Sequence, residues 1–105
     1  ADNASASHYV LGKKKLKLID VNLEGCKMVL KKNDEITSEG QGSACLGNPL
    51  NAALWLAKTM IIRNNPLKKG DVLLTGALGP MTNIEQGDTI EASIEGFDTI
   101  KVKFI

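Results

Sequence analysis

The chain has 105 residues, 43% of them hydrophobic and 24% charged, with 10 Gly and 3 Pro. That composition suits one compact globular domain and excludes the collagen-like, low-complexity and disordered classes. Thirteen Lys and Arg against 12 Asp and Glu leave a formal net charge of +1, too near balance for the broad basic field of a nucleic-acid binder.

The chain opens on Ala1-Asp2-Asn3-Ala4-Ser5, with no initiator Met, no basic start and no apolar core of a secretory signal; an interrupted start, not a leader, is the expectation. Asn3-Ala4-Ser5 has the form of a glycosylation acceptor, but nothing else points to export. Tyr9-Val10-Leu11 reads as a short strand, ended by Gly12 and by a lysine-rich run, Lys13 to Lys17, which suits an anion site but more often keeps an exposed sheet edge solvated. Leu16, Leu18, Ile19, Val21 and Leu23 suggest an extended segment with imperfect alternation. Cys26, Met28 and Leu30 then alternate with Lys27, Val29 and Lys31. Lys32-Asn33-Asp34 supplies a turn before Glu35 to Ser38, which predicts a β-hairpin with one buried face.

The glycine-rich run Gly40 to Gly47 leads into Asn48-Pro49, where Asn is a good helix cap and Pro suits the first helical position. Leu50, Leu54, Ala57 and Ile61, joined by Ala53 and Met60, recur at steps of three and four, which predicts a helix from about Pro49 to Arg63 ended by Asn64-Asn65-Pro66. Val72 to Thr75 has the composition of a buried strand, Gly76 to Pro80 that of a tight loop, and Thr89 to Ile94 and Thr99 to Ile105 those of two further strands. The expectation is a single segment over residues 1–105, mainly β with one main α-helix, hence α+β. Neither apolar-rich stretch, Leu54 to Ile62 or Val72 to Met81, reaches the roughly 18–20 apolar residues of a membrane span. Cys26 and Cys45 are read as buried free thiols of a reducing cytoplasm, not as a disulfide framework.

The motif inventory is sparse. The one His, His8, has no complementary partner in sequence, and no HExxH, CxxC, Walker loop, EF-hand loop or GxSxG elbow occurs. The spacing of Gly40, Gly42 and Gly47 misses the dinucleotide fingerprint. Loop N–H groups at the helix start suit an anion, and close packing of loop on sheet explains the same glycines equally well. Asp71 and Asp88 each follow a glycine and are assigned to turn chemistry. Thr75 closes an apolar strand and opens a glycine loop; its hydroxyl either faces a ligand or satisfies its own turn.

Three ordered blocks carry a family resemblance: Ala1 to Ser5; Gly42-Ser43-Ala44-Cys45-Leu46-Gly47-Asn48-Pro49-Leu50-Asn51 with the helix behind it; and Leu74-Thr75-Gly76-Ala77-Leu78-Gly79-Pro80-Met81 with Gly87-Asp88 and the final strands. The sequence resembles the 2-keto-4-pentenoate (2-hydroxypenta-2,4-dienoate) hydratases of the fumarylacetoacetate hydrolase-like superfamily, in their C-terminal part. The resemblance implies that part of a mixed β-sheet fold, and hydration of a 2-hydroxydienoate to a 4-hydroxy-2-oxo acid in meta-cleavage breakdown of aromatic compounds. It implies Mg or Mn in the complete enzyme, held by carboxylates upstream of residue 1, so that no metal ligand is expected in this chain. It implies substrate contacts from Ser5, Thr75 and Gly76, with Asp2 and Asn3 orienting Ser5, and leaves the catalytic residues unidentified. Ala6 and Asn48 depart from a serine and a histidine common in relatives; Asn48 keeps the capping chemistry. The implied partners are a small 2-hydroxydienoate or 2-oxo acid, and a second copy of the chain or the missing N-terminal part. A 4-oxalocrotonate decarboxylase of the same superfamily and a non-catalytic binding module are the alternatives.

Overall fold

The computed structural model describes residues 7–105. It contains strands β1 (Lys27–Lys32) and β2 (Glu35–Gln41), helix α1 (Pro49–Ile62), and strands β3 (Thr89–Ile94) and β4 (Ile100–Lys103), with short 3-10 turns at Leu18–Asp20 and Gly42–Ala44. The four strands form one sheet in the order β2-β1-β3-β4, and every pairing in it is antiparallel. The α+β expectation therefore stands.

The β1–β2 hairpin turns through Asn33 and Asp34, both at positive φ (51° and 71°). Asn and Asp tolerate this left-handed geometry, and its twist matches that of the flanking strands. The register shifts between Leu30↔Ser38 and Lys31↔Ile36, which leaves Thr37 as the extra residue of a bulge in β2. Cross-strand partners share a face. The pairings Met28↔Ile94, Leu30↔Ala92, Ile90↔Val102 and Ala92↔Ile100 thus collect the apolar side chains on one side. Lys31↔Glu91 and Glu91↔Lys101 place charges on the other.

Helix α1 is fixed at both ends by its own sequence. The Asn48 side chain accepts a hydrogen bond from the Leu50 N–H at 2.9 Å, and Pro49 occupies the first turn, where its missing N–H costs nothing. At the other end Asn64 adopts φ 57°. Its N–H donates to the Ile61 carbonyl, and the Asn65 N–H donates to that of Met60, the paired bonds of a Schellman cap. The sequence places both ends within a residue of where they lie.

Other expectations are corrected. Val72–Thr75 forms no strand: it joins no ladder among the described residues, and leaves Leu74 56% exposed. Its composition is that of a strand, but a side-chain hydrogen bond from Cys45 to the Thr75 carbonyl anchors its end in place of backbone pairing. Tyr9–Leu11 is likewise unpaired and exposed. The expected extended run through Leu16 to Leu23 is interrupted by the 3-10 turn, closed by the Asp20 N–H on the Lys17 carbonyl at 2.9 Å. The last strand is shorter than Thr99–Ile105.

Burial concentrates where β2 leaves the sheet, and not at the centre of the apolar face. Cys26, Ser38, Gly42 and Cys45 are buried there. The Gly42 N–H donates to the Cys26 carbonyl, the Ser43 N–H to that of Glu24, and the Cys26 thiol to that of Leu23. A Cβ on Gly42 would overlap the Leu23 carbonyl oxygen, so only glycine lets the two backbones approach this closely.

Candidate functional site

The loop Thr75–Pro80 lies against the buried cluster at the end of β2 and is tied to it at both ends. Cys45, 4% exposed, donates its thiol hydrogen to the Thr75 carbonyl with Sγ 2.9 Å from the oxygen. Ser38, also 4% exposed, donates its hydroxyl to the Pro80 carbonyl at 2.6 Å. Between these anchors the loop backbone touches β2 directly. A Cβ on Gly40 would overlap the Leu78 carbonyl, and one on Gly79 would lie 2.6 Å from the Glu39 carbonyl oxygen. Beyond the loop, the Thr82 hydroxyl meets that of Thr37 at 3.0 Å, and the Lys32 ammonium donates to the Asn83 carbonyl at 3.1 Å.

This packing decides the reading of the glycine run. Gly40 and Gly42 are there for backbone approach, and the Asn48 side chain already serves one of the free N–H groups at the helix start. Leu46 and Gly47, at φ 52° and 80°, turn the chain into α1, and the Asn51 side chain caps that turn by donating to the Leu46 carbonyl at 2.8 Å. The lysines of the run Lys13–Lys17 are all exposed, but the run belongs to no strand and so lines no sheet edge.

The structure brings Thr75 and Gly76 together at the start of the anchored loop, Thr75 half-buried and Gly76 exposed. The Thr75 hydroxyl makes no hydrogen bond to a described residue, so the turn does not consume it. Gly76 has φ 129°, and a Cβ there would stand 3.2 Å from the Cys45 sulfur; backbone geometry and crowding both require glycine. Ser5, Asp2 and Asn3 lie outside the described residues. Sequence reasoning missed Cys45 and Ser38 as loop anchors. The available signal was a lone serine opposite Leu30 on the apolar side of the hairpin.

Asp88, assigned from sequence to a turn, accepts from the Asn33 side-chain amide at 2.8 Å and from the Glu85 N–H at 2.8 Å. The Asn33 bond, then the Glu85 bond, hold its carboxyl below the usual carboxylate range against a small opposing effect of burial; nearby Lys32 adds to the lowering. It is a structural carboxylate tying the hairpin turn to the start of β3.

A cavity of about 350 Å³ opens on the apolar face of the sheet, lined by Leu11, Gly12, Ala92, Ile94, Phe97 and Ile100 among others. Neither Thr75 nor Gly76 lines it. Among the described residues no group of three or more His, Cys, Asp or Glu side chains is placed to hold a metal ion. The described part of the chain therefore does not fit a metal cage by itself, and what it offers is hydrogen-bond donors on a fixed loop.

Comparison with known proteins adds the family. The family model for the fumarylacetoacetate (FAA) hydrolase C-terminal region matches residues 2–105. The chain is 48% identical over 104 residues to 2-keto-4-pentenoate hydratase 2 of Dechloromonas aromatica, covering 99% of this chain and 40% of that protein. It is 49% identical over 104 residues to a 2-keto-4-pentenoate hydratase of Paraburkholderia phymatum, with the same coverage. A solved structure of 4-oxalocrotonate decarboxylase from Pseudomonas putida G7, complexed with magnesium and adipate, superposes with a TM-score of 0.80 at 30% identity over 84% of this chain and 34% of the decarboxylase. The chain spans about 40% of the length of the curated relatives it matches. With the sheet, the capped helix and the anchored loop all inside the matched region, the chain belongs to the fumarylacetoacetate hydrolase C-terminal family.

Proposed function

We propose that this chain is the C-terminal part of a divalent-metal-dependent hydratase that adds water to 2-hydroxypenta-2,4-dienoate, giving 4-hydroxy-2-oxopentanoate, in the breakdown of aromatic compounds. The observation that carries the reading is 48–49% identity across nearly the whole chain to proteins named 2-keto-4-pentenoate hydratase. The elements of water add across the conjugated alkene of the ketonised substrate; Mg or Mn would be held by residues outside this chain and would supply Lewis-acid charge to the substrate oxygens. This chain's own part is to bind and orient. The Thr75 hydroxyl and the Gly76 N–H donate to the substrate carboxylate and 2-oxo oxygens, and Ser5, oriented by Asp2 and Asn3, adds a further donor.

Large apolar side chains on the outer surface, among them Leu54, Trp55, Ile61 and Ile62 of α1, support association with the rest of a longer polypeptide or with a second copy. Two buried, unpaired cysteines are in keeping with a reducing cytoplasm.

The test is an assay of the complete polypeptide with 2-hydroxypenta-2,4-dienoate and Mg or Mn. Metal-dependent loss of the dienoate absorbance is expected, and Thr75→Val should raise KM about tenfold or more, the cost of one hydrogen bond to a charged group. Absence of metal-dependent turnover overturns the reading. The fold match to a decarboxylase gives a second reading, which carbon dioxide release from 4-oxalocrotonate would favour.

A further inference from the structure

We infer that Cys45 is a positioning residue: its buried thiol sets the plane of the Thr75–Gly76 peptide so that the Gly76 N–H faces outward as a fixed donor for an anionic substrate group. This deepens the hydratase reading and rests on it for the identity of the anion.

The geometry follows from three observations. The Thr75 carbonyl is turned inward onto the Cys45 sulfur at 2.9 Å. The described chain has no cis peptide bond, and across a planar trans peptide the C=O and the following N–H point in opposite directions. The Gly76 N–H is therefore turned away from Cys45 and the buried cluster, and it donates no hydrogen bond to a described residue. A donor on an exposed glycine with no partner among the described residues is available to a ligand.

Among the described residues, no other hydrogen bond at this end of the loop holds that peptide plane. The segment joins no ladder among the described residues, and a glycine at φ 129° has wide backbone freedom of its own. Ser38 pins the far end through Pro80, five residues on. Cys45 fills the space a Gly76 side chain would need, since a Cβ there would lie 3.2 Å from its sulfur. One thiol thus orients the donor through the Thr75 carbonyl and packs beneath the glycine that carries it.

The experiment uses the complete polypeptide and three variants, Cys45→Ser, Cys45→Ala and Cys45→Val. Serine keeps a donor at nearly the same reach; alanine and valine remove it, with less and with comparable volume. Loss of the donor should raise KM for the dienoate about tenfold while kcat changes less than about threefold, as expected when a binding contact is misaligned. Cys45→Ser should stay within about threefold of wild type in both. Nitrogen-15 relaxation of the Gly76 amide, which needs no turnover, should show added mobility in Cys45→Ala and Cys45→Val but not in Cys45→Ser.

A wild-type enzyme inert towards the dienoate, with Gly76 loosened in the donor-less variants, overturns the hydratase reading and leaves the positioning role standing. Wild-type KM and an unmoved Gly76 amide in a folded Cys45→Ala overturn the positioning role. Should both donor-less variants fail to fold, the infrared S–H stretch of Cys45 in the wild type, assigned by its loss in Cys45→Ser, decides. A hydrogen-bonded, lowered frequency supports the contact, and a free-thiol frequency overturns it.

Discussion

The close approach of the Thr75–Pro80 loop to β2 makes a graded steric test. Gly40→Ala places a methyl group onto the Leu78 carbonyl oxygen, Gly79→Ala brings one to 2.6 Å from the Glu39 carbonyl oxygen and 2.9 Å from Ser38 Oγ, and Gly12→Ala meets only the Ile100 side chain at 3.5 Å. None of the three has positive φ, so the series reports crowding and not backbone strain. Gly40→Ala forces the loop off the strand and separates Ser38 from Pro80. Overpacking of this kind costs about 1–3 kcal/mol, and stranding the buried Ser38 hydroxyl adds roughly 1–3 kcal/mol. A total near 3 kcal/mol, with a urea dependence of roughly 2 kcal/mol per molar, lowers the denaturation midpoint by about 1.5 M. Gly79→Ala, about 0.8 Å short of ordinary contact, should fall by roughly half as much, and Gly12→Ala should remain within about 0.5 kcal/mol of wild type. Equilibrium urea denaturation of the three variants reads this directly. A Gly40→Ala midpoint equal to that of Gly12→Ala would refute the close-packed loop and with it the account of the site.

Removing the helix cap with Asn48→Ala should cost about 1 kcal/mol and expose the Leu50 amide to faster hydrogen exchange, while Asn48→Asp, which keeps the acceptor, should not. Because the folded-state pKa of Asp88 is lowered, its contribution to stability is fully present above the unfolded carboxylate value near pH 4 and is lost as pH falls through the lower folded value. Asp88→Asn should therefore flatten the acid limb of a stability-versus-pH profile; an unchanged limb would exclude the Asn33–Asp88 bond as its source. Ser38→Ala, which leaves the Pro80 carbonyl without its donor, should destabilise by about 1 kcal/mol in the same denaturation assay.

The hairpin, the helix and β3 were legible because each is specified by local chemistry: an Asn-Asp turn, an Asn-Pro start with an Asn-Asn-Pro stop, and a β-rich run after Gly-Asp. Val72–Thr75 misled because composition reports what suits a strand, whereas a strand exists only where a neighbour completes its ladder. Its anchor is Cys45, 30 positions from Thr75 in sequence, and no periodicity records such a pairing. The family motif pointed to Thr75 and Gly76, yet the reasons Gly76 is glycine are its φ of 129° and the Cys45 sulfur beside it, which only the fold displays.

The central β1–β3 ladder joins Met28 to Ile94, whereas the hairpin and the helix each close within a few residues. Loop-closure entropy delays the distant pairing. Seating β3 beside β1 is therefore the step expected to govern the folding rate: substitutions at Met28 or Ile94 should slow refolding in stopped-flow experiments, and changes at the Asn33-Asp34 turn should slow it to the extent that the hairpin is already formed when β3 seats.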